Sequence, residues 1–202
     1  MTHLSTTSLT TYLDALAAAT PAPGGGSAAG VTGAMGAALV EMVAGLSLVK
    51  SGAMGDEHSG LQRTALERAR SARAELLQLA DDDAAAYGAF MEALKLPKSS
   101  DDERTARTFA ISTAAQRAAE VPLATLRATV AVAEAARSIM DKSLLAAASD
   151  LEVAARFARA AGESAAENVE ANLPYIDDPQ TRAEIASQTS AALTALHRAT
   201  PQ

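Results

Sequence analysis

The chain has 202 residues, a net charge of −7 at pH 7 and no cysteine. This length fits one domain with a buried core, and we expect residues 1–202 to form that domain. The acidic balance argues against a nucleic-acid partner, since a nucleic-acid binder shows a basic face. Without cysteine there is no disulfide, thiolate metal site or thiol nucleophile. Aromatic residues make up only 3% of the chain, and alanine dominates. Because alanine is small, each helix buries little apolar area, and we expect several helices or a second subunit to complete the core.

The N-terminal segment predicts a short helix and not a targeting signal. It lacks the basic start and the apolar core of a signal peptide, so we expect a cytoplasmic protein. Leucines recur at helical spacing between Ser5 and Ala19, and prolines end the pattern at Pro21 and Pro23.

The segment from Thr20 to Lys50, TPAPGGGSAAGVTGAMGAALVEMVAGLSLVK, is open to three interpretations. About 20 apolar residues can span a bilayer, but this run is weakly hydrophobic and contains Glu41, so we expect no membrane. A nucleotide phosphate loop needs a Gly-Lys-Ser/Thr sequence or a preceding strand, and neither is present. A buried helix from Ser27 to Lys50 is favoured by small residues that let two backbones approach closely: Gly26, Gly30, Gly33, Ala37 and Ala44. A ligand at the turn Gly24–Ser27 stays open, because helix N–H groups are free there.

A third helix is predicted from Leu61 to Leu94, and Pro97 ends it. Its apolar residues fall on one stripe at steps of three and four, and Asp83 lies on that stripe. The neighbouring acids Asp81 and Asp82 can face water. A carboxylate that faces the core or a cleft needs a partner or a chemical task, so Asp83 is the leading functional candidate.

The rest of the chain predicts further helices with short connections. Their starts are indicated by two capping boxes, a first-turn proline and an Asp-Pro pair: Ser100 with Glu103, Ser149 with Glu152, Pro122, and Asp178 with Pro179. We expect the helix from Pro122 to end near Ala147 and the last helix to end near His197. Strand signals are nearly absent, so the predicted fold is all-α, a single-domain multi-helix bundle of about seven helices.

Other polar residues have both functional and structural interpretations. Asn168 and Asn172 share one helix face, which suits either ligand binding or hydrogen bonding between helices. Lys50 and Asp150 stand where a helix dipole alone would favour their charges. The histidines are scattered singly, so we expect no metal site, and no GxSxG motif supports a serine nucleophile.

Four segments, taken in order, carry a resemblance to a known family. "TPAPGGGSAAG" with the small-residue helix "MGAALVEMVAGLSLVK" comes first, and "LLQLADDDAAAYGAFMEALKLPK" supplies an Asp four residues before an aromatic and a Leu-Pro-Lys exit. "AAQRAAEVPL" and "SDLEVAARFARAAGESAAENVEANL" follow. From about Leu9 to Leu173 the chain resembles the formiminotetrahydrofolate cyclodeaminase and methenyltetrahydrofolate cyclohydrolase family.

The resemblance implies an all-helical enzyme without cofactor or metal that acts as a homodimer on folate one-carbon units. The family forms 5,10-methenyltetrahydrofolate from the 5-formimino compound with loss of ammonia, or hydrolyses the methenyl form to 10-formyltetrahydrofolate. Asp83 would stabilise the amidinium cation or relay a proton, and Lys50 and Asp150 are further catalytic candidates. The substrate-binding candidates are Pro23, Gly24, Gly25, Gly26, Ser27, Tyr87, Pro97, Lys98, Asn168 and Asn172.

Two departures from the family pattern keep an alternative open. The segment MDKSLLAAASD lacks the Gly-Asn pair that the family usually carries before Ser149, and Gly45 stands where the family often has Asn. The alternative is a non-enzymatic helical module that binds folate or a partner and has diverged from the family. The sequence also does not separate deamination from hydrolysis, because both reactions pass through a tetrahedral carbon between N5 and N10.

Overall fold

The structure, a computed structural model, describes residues 7–51 and 58–200. Six α-helices follow one another: α1 (Leu9–Ala17), α2 (Gly25–Ser51), α3 (Ser59–Leu94), α4 (Asp101–Ile139), α5 (Ala148–Asn172) and α6 (Pro179–Ala199). Short 3-10 turns lie at Met140–Lys142, Leu145–Ala147 and Leu173–Tyr175. No strand occurs in these two ranges, and the all-α prediction is confirmed.

Helices α2 to α5 form the core as an up-down bundle, and α6 packs on α4 and α5. Gly33 lies against Leu76 while Gly45 lies beside Leu66, so α2 and α3 run antiparallel. Short connections between long helices favour this arrangement, because each helix returns alongside the one before it. The ends of the helices therefore gather at two opposite poles of the molecule.

The small residues of α2 let it approach α3 closely. A Cβ atom at Gly30 would lie 2.8 Å from the carbonyl oxygen of Leu76 and 2.9 Å from the Cβ of Ala80. Real Cβ atoms do not come this close to their neighbours, so the two backbones meet at a distance that only glycine permits. The close-packing interpretation of this segment is confirmed.

Helix α2 is also long and apolar enough, by length and composition, to cross a membrane. Its packing accounts for the small and apolar residues of its inner side, because α3, α4 and α5 pack against them. Its acidic residue Glu41 accepts a hydrogen bond from Nε of Arg73 at 2.5 Å and lies 3.5 Å from Nε of Arg70. A core helix with a paired carboxylate explains the segment without a bilayer.

The prediction that a helix begins at Pro122 is wrong, and the described residues form six α-helices where about seven were predicted. Helix α4 passes through Pro122 without a break. A proline inside a helix has no N–H for the carbonyl four residues before it, here Ala118. The side-chain Nδ2 of Asn172 on α5 donates to that carbonyl oxygen at 3.1 Å. A neighbouring helix supplies the missing donor, which is why the helix continues.

The predicted helix ends differ in how well they match the structure. The capping box of Ser100 and Glu103 is confirmed, as is the cap of α6 by Asp178. The second predicted capping box is wrong, because α5 starts at Ala148 and Ser149 lies inside its first turn. A 3-10 turn leads directly into α5, so its first turn has no side-chain cap. The predicted start of the first helix, Ser5, lies outside the described residues.

Candidate functional site

A cavity of about 190 Å³ opens at the pole where α2 begins, between α3, α4 and α5. It combines the glycine turn, one carboxylate, aromatic rings and two amides: Pro21, Ala22, Gly24, Gly25, Gly26, Asp83, Ala86, Tyr87, Phe90, Ala118, Asn168 and Asn172. The helices that carry these residues are far apart in sequence. The bundle therefore brings together several of the residues that the sequence singled out.

The carboxylate of Asp83 faces the first turn of α2 and accepts a hydrogen bond from the backbone N–H of Ser27. First-turn N–H groups have no partner within their own helix, and the positive end of the helix dipole favours an anion there. Burial acts in the opposite direction and has the larger effect, so the pKa of Asp83 is raised above its ordinary value. The group holds a proton more readily than a surface aspartate does.

Gly26 leaves the space that the carboxylate occupies. A Cβ atom at this position would overlap the Asp83 carboxyl group. The glycine turn therefore does bind an anion, but that anion is a side chain of the same protein. The N–H of Ser27 is used by Asp83, which argues against a phosphate or a ligand carboxylate at the same place.

One tyrosine hydroxyl and one serine hydroxyl lie near the carboxylate. Tyr12 of α1 and Ser27 are both buried, and their hydroxyl oxygens are 3.3 Å apart. Burial raises the pKa of the Tyr12 hydroxyl, and the negative charge of Asp83 adds to this effect. The hydroxyl of Tyr12 therefore stays protonated at neutral pH and can donate a hydrogen bond.

The asparagine pair serves the fold and also lines the cavity. Besides its bond to the carbonyl of Ala118, Nδ2 of Asn172 donates to the carbonyl of Asn168 at 2.8 Å. Nδ2 of Asn168 donates to the carbonyl of Ser164 at 2.8 Å. The side-chain carbonyl oxygens have no hydrogen-bond partner in the described part of the chain. Each oxygen is thus an acceptor that a ligand N–H could reach.

Lys50 and Asp150 lie away from this cavity. Lys50 is in the last turn of α2, about 36 Å along the helix from Gly26. Asp150 is in the first turn of α5, about 27 Å along that helix from Asn168. Within one chain, neither residue can act on a molecule beside Asp83. The sequence shows that Lys50 and Asp150 are charged, but it does not show at which pole of the bundle each of them lies.

The remaining predicted binding residues border the cavity or lie outside it. Ser27 and Pro23 line a neighbouring cavity of about 500 Å³ under α1. Pro97 and Lys98 are exposed in the connection after α3 and do not line the Asp83 cavity.

Several lining residues were not singled out from the sequence. Ala86 and Phe90 lie three and seven residues after Asp83 on α3, so helical spacing could have identified them. Phe90 also meets the ring of Tyr175 edge-on, with centroids 5.1 Å apart. Ala118 comes from α4, and no local pattern connects it with Asp83.

A sequence model of the formiminotransferase-cyclodeaminase family matches residues 8–191. The chain belongs to this family. It is 40% identical to the methenyltetrahydrofolate cyclohydrolase of Methylorubrum extorquens over 168 residues, which are 83% of this chain and 80% of that protein. It is 33% identical to the formimidoyltransferase-cyclodeaminase of Sus scrofa over 92% of this chain and 34% of that protein. The chain therefore spans about a third of the pig protein's length.

A solved structure agrees with this membership. The formiminotetrahydrofolate cyclodeaminase from Thermotoga maritima superposes with a TM-score of 0.79 at 28% identity, covering 98% of this chain and 97% of that one. The resemblance found in the sequence is confirmed, and the named relatives are the folate cyclohydrolases and cyclodeaminases that it predicted.

Proposed function

We propose that this protein is a cytoplasmic methenyltetrahydrofolate cyclohydrolase, which hydrolyses 5,10-methenyltetrahydrofolate to 10-formyltetrahydrofolate. The observation that carries the proposal is the half-buried Asp83 carboxylate, held in a small cavity with its pKa raised. The substrate's methenyl group is a delocalised cation, and a carboxylate stabilises such a charge best where water is excluded. Similarity to the Methylorubrum cyclohydrolase over most of both chains supports hydrolysis as the reaction.

In the proposed reaction, a water oxygen bonds to the one-carbon bridge, and Asp83 takes one of the two water protons. The tetrahedral carbon then breaks its bond to N5, which receives this proton from Asp83. The second water proton leaves to solvent as the formyl carbonyl forms on N10. Because the substrate is a cation and the product is not, one proton is released in each turnover. A carboxyl group with a raised pKa suits this relay, since it must gain and lose the proton in turn.

The size of the cavity suggests which part of the substrate enters. Ligand sites commonly measure about 300–1,000 Å³, so a cavity of about 190 Å³ fits only part of a folate. We propose that the pterin end enters, with its ring beside Tyr87 and its N–H groups near the oxygens of Asn168 and Asn172. The glutamate tail would stay outside, where its carboxylates could meet Lys98 beyond the end of α3. No resident cofactor or metal has a role in this mechanism.

Formiminotetrahydrofolate cyclodeamination is the second candidate. The Thermotoga structure and the pig protein favour it, because the name of each includes a cyclodeaminase. In that reaction N10 attacks the formimino carbon, and the leaving nitrogen must gain protons before it departs as ammonia. Asp83 could deliver one of them from the same position.

The test compares Asp83→Asn with Asp82→Asn in an assay that follows the absorbance of 5,10-methenyltetrahydrofolate. Asp82 is the matched control, because it belongs to the same acidic run but bonds to Gln78 at 2.9 Å and Arg117 at 3.3 Å. We expect Asp83→Asn to lose activity by about 100-fold or more, and Asp82→Asn to stay near the parent rate. A folded Asp83→Asn protein with full turnover would show that the assignment of Asp83 is wrong.

The parent protein itself separates the candidate functions. Consumption of the methenyl substrate supports the cyclohydrolase. Release of ammonia from 5-formiminotetrahydrofolate, with no methenyl consumption, supports the cyclodeaminase. If neither substrate reacts, the non-enzymatic module becomes the better description.

We further propose that the protein forms a homodimer through the outer face of α2. Apolar side chains recur along this face at helical spacing, and several are well exposed: Met35, Met42, Leu46 and Val49. A row of this kind on one helix is costly to leave in water and is suited to a second copy of the same surface. If the two α2 helices crossed antiparallel about an axis near their midpoints, Lys50 would approach the cavity of the other chain. Only in that arrangement could Lys50 act in catalysis.

A further inference from the structure

Helix α1 is attached to the bundle in an unusual way. Tyr12 is its one buried residue, whereas Leu9 is 63% exposed and Leu13 is 51% exposed. Short amphipathic helices normally bury their leucines, because leucine gains the most from leaving water. Here the anchoring side chain ends in a hydroxyl, and the leucines remain outside. Burial of the Tyr12 ring, and not of Leu9 or Leu13, therefore holds α1 against the bundle.

The Tyr12 ring places its hydroxyl beside the first turn of α2. Its oxygen lies 3.3 Å from Oγ of Ser27, which is only 1% exposed. Ser27 in turn donates its backbone N–H to the carboxylate of Asp83. Ser27 thus contacts both Tyr12 on α1 and the carboxylate of Asp83 on α3.

We propose that Tyr12 is a positioning residue for Asp83, holding Ser27 so that its N–H points at the carboxylate. This inference rests on the proposed function, in which Asp83 exchanges protons with the substrate. The contact between the two hydroxyls holds the first turn of α2 against α1, and the N–H of Ser27 belongs to that turn. Tyr12 itself does not line the cavity and need not touch the substrate.

The other groups around Asp83 make the Ser27 bond important. The neighbouring helices contribute neutral side chains to the cavity, Ala118 from α4 and the two asparagines from α5, while α3 adds Tyr87. No cation lines the cavity among the residues that the structure describes, since Arg117 of α4 pairs with Asp82. The bond from Ser27 is the hydrogen bond that lowers the pKa of Asp83 against the effect of burial. A looser bond should therefore raise the pKa of Asp83 further.

The experiment measures kcat/KM against pH for Tyr12→Phe, Ser27→Ala and the double variant, with Leu13→Ala as the control on the same helix. If ionised Asp83 accepts a proton from water, activity falls at low pH as the carboxylate becomes protonated. We expect Tyr12→Phe to move this acid limb to higher pH and to lower kcat/KM by about tenfold at neutral pH. Ser27→Ala should do the same, and the double variant should be no worse than either single one, because both break one linkage.

The outcomes distinguish this inference from the proposed function. If Asp83→Asn abolishes turnover but the acid limb of Tyr12→Phe matches that of Leu13→Ala, Tyr12 does not position Asp83 and the proposed function stands. Additive effects of Tyr12→Phe and Ser27→Ala would also overturn the linkage. If Tyr12→Phe only lowers the melting temperature, its role is structural. If Asp83→Asn is fully active, the catalytic role of Asp83 in the proposed mechanism is wrong, and the positioning role of Tyr12 is wrong with it.

Discussion

At the scale of single residues, the site places a carboxylate against the N-terminus of a helix. The first-turn N–H of Ser27 and the helix dipole favour ionised Asp83, and burial disfavours it more strongly. With its pKa raised on folding, Asp83 contributes most to stability where it is protonated. That contribution is lost as the pH rises from the pKa of Asp83 in the unfolded chain to and through its higher pKa in the folded protein. Ionised Asp83 therefore lowers the stability of the folded protein at neutral pH. A role in catalysis explains such a residue better than a role in stabilising the fold.

Gly26 gives a residue-scale prediction with a matched control. A methyl group at Gly26 would overlap the Asp83 carboxylate, whereas nothing lies within 4 Å of a Cβ built at Gly88 of α3. We expect Gly26→Ala to destabilise the protein by about 1–3 kcal/mol and to abolish most activity. Gly88→Ala should stabilise it by about 0.5–1 kcal/mol, because alanine is the better helix former.

Thermal or urea unfolding and the methenyl assay together check both variants. An active Gly26→Ala protein of normal stability would mean that the carboxylate can move aside without loss. The site would then be far less rigid than this contact indicates.

At the scale of elements, α4 shows how a neighbouring helix changes the meaning of a sequence signal. Pro122 is a sound prediction of a helix start when α4 is considered alone. Asn172 on α5 donates to the carbonyl that the proline leaves without a partner, and α4 continues. Since Ala118 lines the cavity, this bond also fixes part of the cavity wall.

A double-mutant cycle tests this role of the amide. Asn172→Ala should cost about 1–3 kcal/mol, because it leaves the carbonyl of Ala118 buried without a donor. In a Pro122→Ala background the restored backbone N–H at position 122 can bond to that carbonyl within the helix. The cost of Asn172→Ala should then fall by about 1 kcal/mol or more, as measured by urea unfolding. Equal costs in both backgrounds would show that Asn172 stabilises the protein in another way.

At the scale of the whole molecule, the exposed face of α2 leads to a prediction about assembly. A carboxylate introduced on this face, as in Leu46→Glu, should separate the proposed dimer, since an unpaired charge would be buried between the chains. Phe109→Glu is the matched control, because Phe109 is 73% exposed on α4. Size-exclusion chromatography with light scattering should give the mass of one chain for Leu46→Glu and of two for Phe109→Glu. A monomeric parent protein would contradict the dimer.

The sequence by itself determined the helical class and most helix ends, and it singled out Asp83 as the leading site candidate. These depend on local features: the period of the apolar stripe, the Ser100 and Asp178 caps, and an acid at an apolar position. Only the tertiary structure decided that α4 continues through Pro122 and that Lys50 lies at the pole away from Asp83. It also decided that Tyr12 reaches the site. The physical reason is that each depends on a contact between helices distant in sequence, and no local pattern encodes which side chain a neighbouring helix presents.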